Sequence, residues 1–277
     1  MSRRNLLLLI EPTPSALVAK EVACGIAAFG NCTMTGLQIY EDTWLKDVSA
    51  PPTSLKSTLV SQVEARIGGS TESRPATGDD QDEILARQNI YFREKSLTGP
   101  RYALLSEEAE RNDLTLLGRE GNFEEQSENA REVISLLLQY RPRPIIVTPP
   151  NSSHGNNVLV AYDGSPRASR ALQLFVLLGL AEDKNIHLLS VDRKPRAAEA
   201  RMESVTGFLA QHEIEVTPHI ISARNDPTDV IFETIKETSA SMVVAGAQGT
   251  TGWRQTMFGS IGDYLIRHCP VPLFTCP

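Results

Sequence analysis

The chain has 277 residues, 41% of them hydrophobic and 22% charged, with a net charge of −7 at pH 7. This length allows two domains with separate cores, and the acidic balance argues against nucleic acid or an anionic membrane as partner. No apolar run approaches the roughly 20 residues of a membrane helix, and Leu6–Ile10 is too short for the apolar core of a signal peptide. The four cysteines form no Cys-x-x-Cys pair. We therefore expect a cytoplasmic protein with free thiols.

The elements follow in chain order as two copies of one pattern. In the first copy we predict a strand at the start, a helix from the four-residue spacing of its apolar residues, an exposed loop with an acidic helix start, and two later strands. These are Leu6–Ile10, Leu55–Ile67, Ser70–Asp82 (with the helix start at Asp79–Glu83), Leu114–Gly118 and Pro144–Thr148.

A polar linker, Pro149–Asn157, leads into the second copy, where strands and helices alternate. The predicted strands are Asn157–Tyr162, Ile186–Val191, Glu215–Ser222, Met242–Ala245 and Pro272–Thr275. The predicted helices run from Pro166 to about Gly179, from Arg196 to His212, and onward from Pro227 with Asp226 as N-cap. Buried strands that alternate with helices indicate an α/β fold with a parallel sheet covered on both faces.

Three segments align between the copies and define the repeat. Leu6–Ala16 matches Val158–Ala168, Leu114–Gly121 matches Met242–Gly249, and Arg141–Val147 matches Cys269–Thr275. The first copy carries about two dozen extra residues, which we assign to Glu41–Asp82. We therefore predict one domain at residues 1–150 and a second at residues 155–277.

The segment with the strongest chemical signal follows the strand that ends at Ala245. Gly246 and Gly249 are followed, after nine residues, by Gly259-Ser260. Glycines let the main chain approach a ligand, and a new helix presents free N–H groups to an anion. Each pattern alone is more often a turn or a cap, but together they lie at carboxyl ends of one predicted sheet, where ligands of open α/β sheets bind.

Specific roles follow for the residues around this crevice. We expect Asp163, after the first strand of the second copy, to accept hydrogen bonds from a ribose or a base. Gly246 and Gly249 would give close backbone approach. The N–H groups of Gly259, Ser260 and Ile261, with the Ser260 hydroxyl, would hold phosphate oxygens.

Residues 155–277 resemble the universal stress protein family, whose ATP-binding members show the signature G-x2-G-x9-G-(S/T). The whole chain looks like a tandem member. The resemblance implies two tandem five-stranded parallel sheets flanked by helices, of the adenine-nucleotide α-hydrolase-like, Rossmann-like type. It also implies pairing along the fifth strands as an internal pseudo-dimer. The implied nucleotide pocket comprises Ala161, Tyr162, Asp163, Val191, Ala245, Gly246, Gln248, Gly249, Gly259, Ser260 and Ile261. Gln248 and Gly262 depart from the basic and hydroxyl residues that many members have there.

The first copy departs further from this signature. Arg131 aligns with Gly259, Glu132 aligns with Ser260, and Glu11 replaces Asp163. A long side chain and a negative charge oppose a bound phosphate at this point. We therefore expect the first domain to bind no ATP, or to bind something other than a triphosphate.

Three functions stay open at this stage. The first is a stress-response or regulatory protein that binds ATP or a related adenine nucleotide, with or without Mg²⁺. The second is a slow ATPase or phosphotransferase that uses the same pocket, although no catalytic or metal-binding motif is recognised. The third is a ligand-free scaffold. A further homodimer and an unidentified protein partner are compatible with each.

Overall fold

The computed structural model describes residues 3–40, 54–67, 78–120, 130–152, 154–192, 195–222, 226–247 and 260–277. The chain divides into two compact units, Met1–Leu137 and Leu138–Pro277. Among the helices of these described ranges, none is both long and apolar enough to cross a membrane.

The first unit is a parallel sheet with helices between its strands. Its elements are β1 (Arg4–Leu9), α1 (Pro14–Ala27), β2 (Cys32–Tyr40), α2 (Leu55–Arg66), α3 (Gly78–Arg87), β3 (Ile90–Thr98), α4 (Arg101–Glu110) and β4 (Leu114–Gly118), and α5 (Ala130–Tyr140) follows. The strand order is β3-β2-β1-β4. The predicted helix over residues 55–67 and the predicted strands at β1 and β4 are confirmed.

The second unit contains a longer, mostly parallel sheet. Its elements are β5 (Ile145–Thr148), β6 (Asn157–Ala161), α6 (Pro166–Leu177), β7 (Asn185–Asp192), α7 (Pro195–Gln211), β8 (Val216–Ser222), α8 (Pro227–Glu237), β9 (Met242–Gly246), α9 (Ser260–His268) and β10 (Leu273–Cys276). The order is β5-β10-β9-β6-β7-β8. All five predicted strands are present, and the α/β class with a mostly parallel sheet between helices is confirmed.

The last strands of the two repeats pair within the second unit. β5 runs antiparallel to β10, with Val147 opposite Leu273 and Ile145 opposite Thr275. For this reason the compact unit begins before residue 150, whereas the repeat boundaries at 150 and 155 stay a prediction. The arrangement of the two halves as an internal pseudo-dimer also stays a prediction.

The two repeats use the same local devices around their first strands. Thr13 Oγ1 accepts a hydrogen bond from Ala16 N (3.2 Å), and Ser165 Oγ accepts one from Ala168 N (3.1 Å), so each caps the helix that follows its strand. A proline occupies the first helical turn in both. The strand registers agree as well, since Leu6 pairs with Leu114 as Val158 pairs with Met242.

Candidate functional site

The sheet of the second unit has its topological switch point between β6 and β9. From β6 the chain passes to β7 on one side, whereas β9 and β10 lie on the other. Ala161 and Ala245 are direct neighbours at the carboxyl ends of these strands. The first and fourth strands of the second repeat are therefore neighbours, and ligands of open α/β sheets bind at such a point.

A cleft opens at this switch point, and its walls are mainly small or apolar side chains. Leu189, Ile231 and Leu265 contribute to it. Of the residues that the sequence assigned to the pocket, seven line the cleft, namely Ala161, Tyr162, Asp163, Val191, Ala245, Gly246 and Ile261. Ser260 begins α9. The remaining three, Gln248, Gly249 and Gly259, lie outside the described residues.

Asp163 is held at the rim of the cleft by a tight turn. Its Oδ1 accepts a hydrogen bond from Ser165 N (2.9 Å), and Gly164 between them has a φ of +78°. The Asp163 side chain is exposed. An Asx turn of this kind fixes the carboxylate without burying it, so it remains accessible to a hydroxyl or amino group of a ligand.

Tyr162 is fixed between the sheet and α6. Its N–H donates to the carbonyl of Leu189 (2.8 Å), and its hydroxyl lies 2.9 Å from Ser169 Oγ. The Tyr162 ring is therefore anchored by α6, and its main chain forms part of the cleft wall.

Two glycines of the cleft are required by packing. A Cβ on Gly246 would lie 2.7 Å from Ala168 N and 2.9 Å from the carbonyl carbon of Arg167. A Cβ on Gly262 would lie 2.1 Å from Ala247 O. Since backbone atoms cannot move aside cheaply, these glycines let α6 and α9 approach the end of β9. Gly246 thus has a structural reason that needs no ligand.

Arg201 is a charged neighbour of the cleft that the sequence analysis did not single out. A Cβ on Gly164 would lie 2.3 Å from Arg201 Cδ, so the arginine stem packs on the turn after Asp163. Its guanidinium pairs with Asp192 at the end of β7, and its buried Nε has no hydrogen-bond partner in the described part of the chain. Arg201 reaches this place because α7 packs over the turn after Asp163. Its neighbours in the sequence give no sign of this position.

The same place in the first unit is filled by larger side chains. The strand registers and the repeat put Leu9 at the position of Ala161, Leu117 at that of Ala245, and Ile134 at that of Gly262. The exposed fractions of these three side chains are 3%, 2% and 0%. The small residues that leave space in the second unit are therefore replaced by buried aliphatic ones.

A buried ion pair accompanies these aliphatic side chains. Glu11, the counterpart of Asp163, is 6% exposed and bonds with Arg101 at the start of α4, which is 8% exposed. A carboxylate paired in this way is not available to a ribose or base. The first unit therefore differs from the second in both the shape and the charge of this region.

Metal-binding side chains do not gather in the parts of the chain that the structure describes. No group of three or more His, Cys, Asp or Glu residues is arranged there to hold a metal ion.

Comparison with known proteins gives consistent relatives. Residues 155–277 match the family model "Universal stress protein family". Universal stress protein YxiE of Bacillus subtilis (strain 168) is 27% identical over 149 residues, 44% of this chain and 95% of that protein. Universal stress protein Slr1230 of Synechocystis sp. is 22% identical over 167 residues, 59% of this chain and 57% of that protein.

Among solved structures, the fold resembles that of a universal stress protein from Archaeoglobus fulgidus DSM 4304. The TM-score is 0.67 with 18% identity, over 98% of this chain and 97% of that one. This likeness concerns the fold, while the family match rests on residues 155–277. The residues that carry the likeness to the universal stress protein family are therefore 155–277, the predicted second domain.

Proposed function

We propose that this stress-response protein binds ATP, or a related adenine nucleotide, in the cleft of its second unit. The observation that carries the proposal is the juxtaposition of Ala161, Asp163 and Ala245 at the switch point with the start of α9 at Ser260. The small side chains leave space, and the nearby helix start supplies N–H donors for an anion.

The chemistry of the cleft walls suggests how a nucleotide lies in it. Val191, Leu189 and Ile231 form an apolar side that suits a purine ring. The Asp163 carboxylate at the rim would accept hydrogen bonds from the ribose hydroxyls. The phosphates then extend toward Ser260, where the first N–H groups of α9 have no partners within the helix.

One acidic group lies close to the proposed phosphate position. Asp263 is in the first turn of α9, where its negative charge interacts favourably with the helix dipole but repels an added anion. It forms an ion pair with Arg267 one turn later, which offsets its charge. We infer that phosphate binding depends on the main chain more than on fixed positive side chains.

The first unit is expected to bind no nucleotide at the equivalent place. Leu9, Leu117 and Ile134 occupy the volume, and Glu11 is committed to Arg101. Binding there would require moving three buried side chains and separating a buried ion pair. Breaking such a pair typically costs about 3–5 kcal/mol. The proposal therefore predicts one nucleotide per chain.

The test closes the second cleft with the residues of the first. In the double variant Ala161→Leu, Ala245→Leu, we expect ATP affinity by calorimetry to fall at least about 100-fold, or roughly 2.7 kcal/mol. Exposed Ala210→Leu on α7 is the matched control and should bind like the wild type. Unchanged binding in the double variant, or two nucleotides per chain, would contradict the proposal.

Binding and turnover are separated with the same proteins. Phosphate release from the ATP complex in Mg²⁺ is compared between the wild type and Gly259→Arg, which introduces the residue of the first copy. Release that is equal in the two proteins would remove the case for hydrolysis in this cleft. ATP retained without release would support a binding role.

A further inference from the structure

The first unit contains a cavity beside the carboxyl end of β1. Its volume is about 210 Å³. Leu8 and Ile10 at the end of β1, Leu17 on α1 and Leu55 on α2 give it an apolar lining. Sites for drug-sized ligands usually enclose about 300–1,000 Å³, so this one suits a smaller molecule.

The extra segment of the first repeat creates this cavity. α2 lies within the additional residues, and its first residue, Leu55, packs over Gly36 of β2. A Cβ on Gly36 would lie 2.6 Å from Leu55 Cδ2 and 2.8 Å from Ile10 Cδ1. The glycine therefore allows the inserted helix to stand directly on the sheet, and Leu55 becomes one wall of the cavity.

The second unit uses the corresponding positions differently. Tyr162 replaces Ile10 and Ser169 replaces Leu17, and their hydroxyls lie 2.9 Å apart. In the first unit the two aliphatic side chains cannot make this contact. The cavity therefore depends on the inserted segment and on these substitutions. It shares no lining residue with the cleft of the second unit.

Two opposite charges lie on the cavity lining. Lys20 projects from α1 and is half-buried, whereas Glu94 on β3 is exposed. Neither forms a hydrogen bond or ion pair with another of the residues that the structure describes. The third charged residue of the lining, Glu11, is already paired with Arg101. An ammonium and a carboxylate are thus available beside an apolar wall, with no net charge between them.

We infer that this cavity binds a small zwitterion, an α-amino acid with a short aliphatic side chain. The ligand carboxylate pairs with Lys20 and its ammonium pairs with Glu94, while the side chain contacts Leu8 and Leu55. A half-buried lysine gains from a charge-assisted hydrogen bond with a carboxylate. A zwitterion can pair with both groups, whereas a molecule with a single charge forms only one of these two charge-assisted contacts.

Ligand analogues test the charge requirement in the full chain. L-Leucine at about 10 mM, ten times a Kd of about 1 mM, should raise the melting temperature in a saturable manner. 4-Methylpentanoate, which lacks the ammonium, and isopentylamine, which lacks the carboxylate, should each bind at least about tenfold more weakly. Equal binding of the three compounds, or no effect of leucine, would overturn the inference.

Variants test the two charged residues. Lys20→Met and Glu94→Gln keep the length of each side chain and should each lose at least about tenfold in leucine affinity. Lys236→Met, at an exposed position of α8, is the control and should bind leucine normally. Normal leucine binding in both test variants would also overturn the inference. ATP binding should be unchanged in all three, so failure here is distinct from failure of the proposed nucleotide site.

Discussion

Gly118 and Gly246 offer a test of whether the end of the fourth strand is shaped by packing or by a ligand. A Cβ on Gly118 would lie 2.7 Å from Ala16 N and 2.4 Å from Ser15 Oγ, and one on Gly246 would lie 2.7 Å from Ala168 N. Neither glycine has a positive φ, so alanine is not excluded by the backbone conformation. Among the described residues, the atoms that a Cβ on Gly118 or Gly246 would meet belong to the helix that packs on the strand.

The expected cost follows from these distances. A real Cβ needs about 3.4 Å, so the helix start must move by several tenths of an ångström, and overpacking of this kind costs about 1–3 kcal/mol. Each unit has a matched control in a helix, Gly25→Ala and Gly207→Ala, where a Cβ would meet nothing within 4 Å. These controls should stabilise by about 0.5–1 kcal/mol. Test and control should therefore differ by about 1.5–4 kcal/mol, or roughly 5–12 °C.

Calorimetry without nucleotide measures this difference, and hydrogen exchange locates it in one unit or the other. We expect Gly118→Ala to lower protection in α1 and β4, and Gly246→Ala to lower it in α6 and β9. The reasoning is refuted where Gly246→Ala is as stable as Gly207→Ala. In that case the glycine would be present for a ligand alone, and packing of α6 would not explain it.

Three further predictions concern titratable groups. Burial raises the pKa of Glu108, but its bond with Lys95 (2.7 Å) and the neighbouring positive charge hold that pKa below the usual value, so Glu108→Gln should cost about 1–2 kcal/mol in urea unfolding at pH 7. Because the folded state favours the charged carboxylate, its contribution to stability is present above the unfolded pKa and is lost as the pH falls through the folded pKa. A stability difference between wild type and Glu108→Gln that stays constant down to pH about 3 would contradict this prediction. Burial, and then the charge of His219, lower the pKa of His187, so its ring should titrate below about 6.5 by NMR, and a value above 6.5 would contradict this. Because the unfolded chain then binds the proton more readily than the folded one, the free energy of unfolding should decrease as the pH falls below about 6.5. Burial raises the pKa of Cys24 to about 12, so a thiol reagent at pH about 8 should modify it only after unfolding.

The fold of the second repeat was readable because its central strands, such as β6 and β9, are buried on both faces. Val158, Leu159 and Val160 form an uninterrupted apolar run, and the structure buries all three. Asp226 caps α8 through Thr228 N, as the Asp-Pro pair predicts. Local signals and tertiary packing agree here, and prediction from the sequence succeeds.

The first repeat was harder to read because of its edge and its insertion. Among the described strands of this unit, β3 pairs with β2 alone, and most of its side chains are exposed, so its sequence has no regular pattern of apolar residues. β2 was also missed, although Met34 and Leu37 are buried, because threonines and a glycine interrupt its apolar residues. The inserted residues were located only to the range Glu41–Asp82, since the repeat alignment shows the extra length but not where the helix α2 packs.

Part of the candidate site was beyond sequence reasoning for a different reason. Ala161 and Val191 could be assigned from the resemblance, and both line the cleft. Arg201 could not, since its position depends on how α7 packs over Gly164. The roles of the assigned residues in nucleotide binding, the cytoplasmic location and any further dimer stay predictions.

The two repeats together separate what the fold needs from what a ligand needs. Gly118 persists in a unit whose crevice is filled, so a glycine at the end of the fourth strand is explained by helix packing in both units. The positions that differ are Ala161 and Ala245 against Leu9 and Leu117, which have no packing reason to be small in one unit only. In a tandem protein of this kind, the small residues at the ends of the central strands therefore indicate a binding cleft better than the first glycine of the motif does.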